Sequence, residues 1–307
     1  MTSPFGPIVL VADPSGNRGQ VGLQLPRLEE SLRTMNLDHR MVQVKAPGEA
    51  GAVAREALER GERFVVAVGD DRLIHEVVNG MMRDDRAVVR DAVLGVVPVG
   101  TACDFPRTFG LPEDAILASK HLDGEGTFPI DVGKVTFRSP NGQDDVRYFG
   151  NVAEVGLGGA VAARSEGLPK RLGRGRYFLG FWLSLARWRQ AAVRLQGDRR
   201  SLEERVRNVV VANGQFIGGG QMISPRSWPG DGFFDVLVMK GPRSEAFTML
   251  PKIFRGEHLP HPNIIELRSR RLRVEADRPL WVEADGRPLG TTPATFEVIP
   301  QAISVKI

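Results

Sequence analysis

The sequence predicts an α/β domain built on a parallel sheet, followed by an antiparallel β-sandwich domain. Two observations carry this. Over the first 125 or so residues, short continuous apolar runs alternate with segments whose apolar residues recur every three to four positions. That is the pattern of strands buried on both faces and covered by helices. After about Gly126 the helical spacing gives way to strand-like runs separated by turn residues, the pattern of a sandwich. The boundary is therefore expected at 125–130, with a first domain over 1–126 and a second over 127–307. The last strand can belong to either.

Each element has its own reason. Pro7–Ala12 is almost wholly apolar and reads as a buried strand. Leu25, Leu28, Leu32 and Met35 recur at helical spacing. Arg40–Lys45 alternates, with Val42 and Val44 on one side, and Val53, Ala54, Ala57 and Leu58 mark a second helix closed by Gly61. Arg63–Val68 and Val93–Pro98 are further buried strands, and helices are expected over Leu73–Met82 and Glu113–Leu122. In the second domain strands are expected at Phe128–Phe137, Arg147–Val155, Ala191–Gln196, Val206–Asn213, Phe233–Met239, Leu267–Ala276, Leu280–Ala284 and Thr295–Ile299. Asn213-Gly214, Gly230-Asp231-Gly232 and Asp285-Gly286 punctuate them as turns. Helices interrupt near 174–189 and 243–255.

Composition narrows the function. An apolar share of 42% and a charged share of 25% are ordinary for a globular chain and exclude a disordered, collagen-like or coiled-coil one. A single cysteine, Cys103, excludes a disulfide framework and a cysteine-rich zinc module. A net charge of +4, with no basic stripe interleaved with aromatics, gives no reason to expect nucleic acid. The N-terminus reads as a strand and not as a signal peptide. The most apolar later stretch, Tyr177–Trp188, is 12 residues, where a spanning helix needs about 20. A cytoplasmic protein is expected. The segment Arg164–Arg207 carries 12 Lys or Arg against 4 Asp or Glu and holds an aromatic helix. It suits peripheral contact through 170–190 with the inner face of a membrane. It suits equally a helix that packs its apolar side inward.

Three turns follow buried strands of the first domain: Asp13-Pro14-Ser15-Gly16, Gly69-Asp70-Asp71-Arg72 and Gly100-Thr101-Ala102-Cys103-Asp104. Ligands of open parallel sheets sit at the carboxyl ends of strands, and helix N-termini attract phosphate. Together the turns suit a nucleotide cleft, and each alone suits an ordinary βα turn with acidic caps. In Trp228-Pro229-Gly230-Asp231-Gly232-Phe233, Asp231 with nearby backbone carbonyls suits Mg²⁺, or the segment is a tight hairpin. Cys103 lacks an evident base to make it a nucleophile. His258 and His261 lie in a proline-rich loop with no accompanying ligand set.

In this order, the segments resemble the diacylglycerol kinase catalytic family, which includes bacterial lipid kinases and sphingosine kinases. Asp13-Pro14-Ser15-Gly16 is similar to the family's Asn-Pro-x-x-Gly opening. Gly69-Asp70-Asp71-Arg72-Leu73-Ile74-His75-Glu76 is similar to Gly-Gly-Asp-Gly-Thr-x-Asn-Glu, and Pro98 to Phe105 to Pro-x-Gly-Thr-Gly-Asn-Asp-Phe. Asp285-Gly286-Arg287-Pro288 resembles its Asp-Gly-Glu-Pro. The resemblance spans nearly the whole chain. It implies the NAD kinase/diacylglycerol kinase-like fold, and ATP- and Mg²⁺-dependent phosphorylation of a lipid hydroxyl, in phospholipid metabolism. It places Asp13, Ser15, Gly16, Gly69, Asp70, Asp71, Arg72, Glu76, Gly100, Thr101 and Asp104 at the nucleotide. Asp231, with Trp228 and Phe233, falls at a metal. Asp285, alone or with Glu283, falls at the base; two residues apart on a strand, these carboxyls face the same way.

The chain also departs from the pattern. Asp70 and Arg72 stand where glycines let the backbone approach phosphate, and Leu73 replaces a Thr. Ala102 replaces a Gly and Cys103 an Asn. Arg287 stands at the position of the general-base Glu, and a guanidinium cannot accept a proton. Two readings stand besides an active lipid kinase: a catalytically impaired lipid- or nucleotide-binding protein on the same fold, and a soluble NAD kinase-like enzyme.

Overall fold

The computed structural model describes residues 3–100, 103–169, 172–173 and 175–307. The chain divides into two compact units, Met1–Val132 with Ile299–Ile307, and Gly133–Val298.

The first unit runs β1 (Ile8–Ala12), α1 (Gln20–Thr34), β2 (His39–Gln43), α2 (Glu49–Glu59), β3 (Phe64–Gly69) and α3 (Asp71–Met81). A small hairpin follows, β4 (Met82–Arg83) and β5 (Arg86–Ala87), then β6 (Val93–Pro98), α4 (Ala115–Ser119) and the first half of β7 (Thr127–Arg138). Strands β2, β1, β3 and β6 lie side by side and parallel, with Phe64 opposite both Ile8 and Val93. Every residue of β1, β3 and β6 is buried, which explains why they read as unbroken apolar runs. Leu25, Leu28 and Leu32 of α1 pack on Ile8, Leu10 and Phe64. Helices α2 and α3 cross where Gly51 meets Gly80. A Cβ on Gly80 would stand 2.2 Å from the Gly51 carbonyl oxygen. Helix α4 is shorter than the expected Glu113–Leu122. Asp114 caps it by accepting the N–H groups of Ile116 and Leu117, and its end tightens into a 3₁₀ turn, Lys120–Leu122.

The second unit continues with β8 (Asp144–Phe149), β9 (Val152–Gly156), α5 (Leu157–Glu166), α6 (Gly175–Arg187), β10 (Ala191–Gly197), β11 (Ser201–Val206) and β12 (Asn208–Ala212). Then come β13 (Phe216–Ile217), β14 (Gln221–Met222), β15 (Phe234–Met239), α7 (Glu245–Arg255), β16 (Ile264–Ser269), β17 (Arg271–Ala276), β18 (Trp281–Ala284) and β19 (Arg287–Lys306). Within this unit the order β16–β15–β12–β9–β18–β19 is antiparallel throughout. Its core gathers Phe149, Phe234 and Phe296 with valines of β9, β12 and β15. The end of β19 belongs to the first unit, where Ser304 and Val305 pair in parallel with Val93 and Leu94 of β6.

Two expected strands are broken. Arg147–Val155 splits at Gly150-Asn151, because the N–H groups of Gly150, Asn151 and Val152 are drawn to the Asp285 carboxylate at 3.1, 3.0 and 3.2 Å. Leu267–Ala276 splits at Arg270, where the N–H groups of Arg270 and Arg271 bond Asp198. The two halves then pair with different neighbours. Helix α5, strand β11 and the short strand pairs β4–β5 and β13–β14 have no counterpart in the expected elements.

Candidate functional site

In the first unit, the three turns converge at the carboxyl edge of the sheet. Adjacent β3 and β6 place Gly69 opposite Pro98. The Asp71 carboxylate then ties the two turns together by accepting the N–H groups of Asp104 at 2.8 Å and Phe105 at 3.0 Å. From beyond β1, Asn17 reaches Gly100: a Cβ there would stand 2.5 Å from Asn17 Nδ2, and φ of +105° at Gly100 favours glycine in any case. Asn17 and Arg18 both hold left-handed backbone, φ 46° and 61°, an uncommon pair in a non-glycine run. Asn17 was missed from sequence. Asn followed by Arg-Gly after a strand is its only local signal.

The other nucleotide candidates are placed as follows. Asp70 is the N-cap of α3 and accepts the Leu73 N–H at 3.3 Å, so a carboxylate holds a donor that a phosphate would otherwise meet. Leu73 is buried against Gly69. Arg72 sits half-buried in the first turn of α3. Asp13 accepts the N–H and O–H of Ser15 at 2.9 and 2.7 Å, and Gly16 donates to the Asp13 carbonyl, so this turn closes on itself. Glu76 reaches away from the turns to the Gly48 N–H at the start of α2. Asp104 is buried and Arg107 pairs with it at 3.4 Å. Thr101 and Ala102 lie outside the described residues. The region is electronegative. Burial pushes the Cys103 thiol well up, and the charges of Asp71, Asp70 and Asp104 push it further. A thiol held protonated there is no nucleophile.

In the second unit, Asp285 adopts φ 50° and spends its oxygens on the three N–H groups that break the strand. Glu283 is different. Strand pairing sets it directly opposite Glu154, and the two side chains hydrogen-bond. Burial raises both carboxyls, and Glu154 raises Glu283 further. Asn208 Nδ2 donates to Glu154 at 2.6 Å and the Gly286 N–H to Glu283 at 2.7 Å. A Cβ on Gly158 would stand 2.3 Å from Glu154, so the carboxyl fills the space that glycine leaves. Such a pair keeps one proton between two carboxyls and can take another. Glu154 and Asn208 were not read from sequence, because only the pairing of β9 with β18 and with β12 gathers them at Glu283. Arg287 stands half-buried at the start of β19.

The residues expected to hold a metal are engaged. Asp231 Oδ1 accepts the Phe233 N–H at 3.0 Å, and Oδ2 is gripped by Arg268, whose guanidinium also lies 4.8 Å from the Phe233 ring. The Trp228 carbonyl closes its own turn with Gly230. Mg²⁺ takes oxygen ligands, and a guanidinium on the carboxylate does not fit that donor set. His258 bonds the Ile223 carbonyl and His261 accepts the Asn263 N–H. Among the described residues no three His, Cys, Asp or Glu side chains group as for a metal ion.

The family model for the diacylglycerol kinase catalytic domain matches residues 7–135, and that for the YegS C-terminal NAD kinase beta sandwich-like domain matches residues 151–307. The chain belongs to the diacylglycerol kinase family. A diacylglycerol kinase of Bacillus subtilis (strain 168) is 31% identical over 255 residues, covering 81% of this chain and 79% of that one. A Pseudomonas aeruginosa protein named probable lipid kinase YegS-like is 31% identical over 261 residues, covering 85% and 82%. The crystal structure of a diacylglycerol kinase from Bacillus anthracis str. Sterne has a TM-score of 0.71 at 21% identity, covering 99% and 97%, and shares the fold. Membership supports a lipid kinase function, and a kinase of this family implies ATP as phosphate donor. Among the described residues no helix is long and apolar enough to cross a membrane.

Proposed function

We propose that the chain transfers the γ-phosphoryl group of ATP to a hydroxyl of diacylglycerol or a related lipid, and does so slowly. The observation that carries this is the Asp71 clamp on Asp104 and Phe105, which unites the two family turns at one sheet edge. The lipid oxygen would attack the γ-phosphorus as the bridging β–γ P–O bond breaks and ADP leaves. Within the second unit, the Glu154–Glu283 pair has the chemistry to accept a hydroxyl proton. Asp285 is a positioning residue: its turn presents the Gly286 N–H to Glu283. Gly100, Arg72 and the start of α3 would meet the triphosphate. Because Asp70, Asp71 and Asp104 crowd that edge, ATP would enter with Mg²⁺ as its own counter-ion, since like charges a few ångströms apart repel. Slowness follows from the same carboxylates and from Arg287.

A radiolabelled-ATP assay against diacylglycerol and sphingoid bases tests the reading. Phospholipid product supports it. No product, with no calorimetric heat from Mg²⁺-ATP, rejects it in favour of the second reading, a lipid-binding protein on the same fold. Asp70 capping Leu73 favours that alternative.

A further inference from the structure

Two carboxylates meet where the chain enters β15. Asp231 lies in the turn that precedes the strand, and Asp235 on the strand itself. Pairing of β15 with β16 sets Asp235 opposite Arg268 and Leu237 opposite Glu266. Residues two apart on a strand share a face, so Glu266 stands beside Arg268. Arg226 lies 3.3 Å from Glu266 and takes that charge. Asp231 and Asp235 are left to Arg268. Their side chains are 32% and 17% exposed, and like charges partly withdrawn from water repel more strongly than in the open. A cation between them relieves that repulsion.

A single guanidinium supplies the charge and holds three points at once. Arg268 Nη2 donates to Asp231 Oδ2, its Nε lies 3.5 Å from Asp235 Oδ1, and its central carbon stands 4.8 Å from the centre of the Phe233 ring. Arg270 brings a second guanidinium to 4.7 Å from the same ring. The planar fork of arginine suits this place, because its donors point in fixed, separate directions and its charge is attracted to an aromatic face. The oxygens that a divalent ion would need are committed elsewhere. Asp231 Oδ1 accepts the Phe233 N–H at 3.0 Å, and the Trp228 carbonyl accepts the Gly230 N–H at 2.8 Å. Mg²⁺ asks for about six oxygens in a near-octahedral array.

We propose that Arg268 is the resident cation of this turn. It stands in for a divalent ion, so that the second unit closes without metal, and removing its guanidinium converts Asp231 and Asp235 into a divalent-cation site. A charge tethered to β16 is present at every metal concentration, and no chelator removes it. The inference concerns the closing of the second unit and not phosphotransfer. It therefore stands or falls separately from the lipid-kinase reading and from any Mg²⁺ that ATP brings with it.

The test is melting of the full chain, followed by circular dichroism in EDTA and in millimolar Mg²⁺, without ATP. The unaltered chain should melt at the same temperature in both. Arg268→Ser should melt about 2–6 °C lower in EDTA. It should regain part of that loss in Mg²⁺, because an ion that binds only the folded state stabilises it. Tb³⁺ reads the site directly, since its luminescence is excited through a nearby tryptophan and Trp228 lies in the turn. Arg268→Ser should gain a Tb³⁺ signal that the further change Asp231→Asn removes. Should the serine variant not fold, Arg268→Gln, which keeps the stem, takes its place in both measurements. An unaltered chain that melts lower in EDTA, or whose Tb³⁺ signal Asp231→Asn removes, holds an ion at the turn despite Arg268 and overturns the proposal. A folded variant that melts as the unaltered chain does, or that gains no Tb³⁺ signal, overturns it as well.

Discussion

Glu283→Gln is expected to raise stability, and Glu283→Gln with Glu154→Gln to lower phosphotransfer. The Glu283 side chain is 3% exposed and faces Glu154 across the β9–β18 pairing. Glutamine preserves both hydrogen bonds, its Nε2–H donating to Glu154 and its carbonyl accepting the Gly286 N–H. It removes a group whose burial and carboxylate neighbour hold its proton well above the ordinary 4.5. An unfolded chain gives up that proton near 4.5, whereas the folded chain keeps it to higher pH. Between those values the folded state binds more protons, so stability falls as pH rises. At about 1.4 kcal/mol per pH unit, the loss by pH 7 is at most roughly 3 kcal/mol. Gln should recover part of this, raising Tm by about 2–4 °C per kcal/mol, and should flatten the decline measured between pH 5 and pH 8. Glu154 remains to accept a proton in this variant, so it is the further change Glu154→Gln that should slow lipid phosphorylation, by roughly 10²- to 10⁴-fold. Urea titrations across pH and a radiolabelled-ATP assay on the same preparations read both effects. An unchanged pH slope would refute the shared-proton pair, and an unchanged rate in the double variant would refute its role as proton acceptor.

Asp70→Gly should tighten ATP in calorimetry, because it frees the Leu73 N–H and removes a carboxylate from α3's N-terminus while keeping Arg72; unaltered affinity would place the phosphates elsewhere. Arg287→Glu should raise phosphotransfer by restoring a carboxylate after the Asp-Gly turn, and a fall in rate would contradict that. Asp285→Asn keeps a residue suited to φ 50° but turns an amide toward three N–H donors, so a loss of about 1–3 kcal/mol is expected in urea unfolding. A stable variant would deny the carboxylate its hold on Gly150–Val152. Burial, aided by nearby Lys306, lowers His121 to about 4. The unfolded chain then binds a proton that the folded chain refuses, and stability should fall as pH drops from about 6.5 towards 4, by at most roughly 3 kcal/mol. His121→Leu should flatten that acid limb, and the same slope in the variant would assign it to other groups.

Elements whose cause is local were legible in the sequence. The apolar runs of β3 and β6 need no partner to be recognised, since burial on both faces demands apolar residues at every position, and Val93–Pro98 is found as read. The turns that follow them, from Gly69 and from Gly100, were legible as glycine-bearing polar breaks after those runs, as was Asp285-Gly286. What the sequence could not contain was pairing at a distance. Asp285 breaks the strand at Gly150-Asn151 from 134 residues away, although the run from Arg147 to Val155 is locally well suited to one strand. Glu154 reads as a solvated strand residue until β18 lies beside it and sets Glu283 opposite. The aromatic residues of Tyr177–Trp188 left inward packing and an outward face equally open. The structure divides them: Gly180 and Ser184 let α6 lie close on α5, Phe181, Trp182 and Trp188 pack on the core of the second unit, and Phe178 is left exposed. Periodicity states which residues of a helix share a side; which side is covered depends on the shape of the neighbour, and that exists only once the chain has folded.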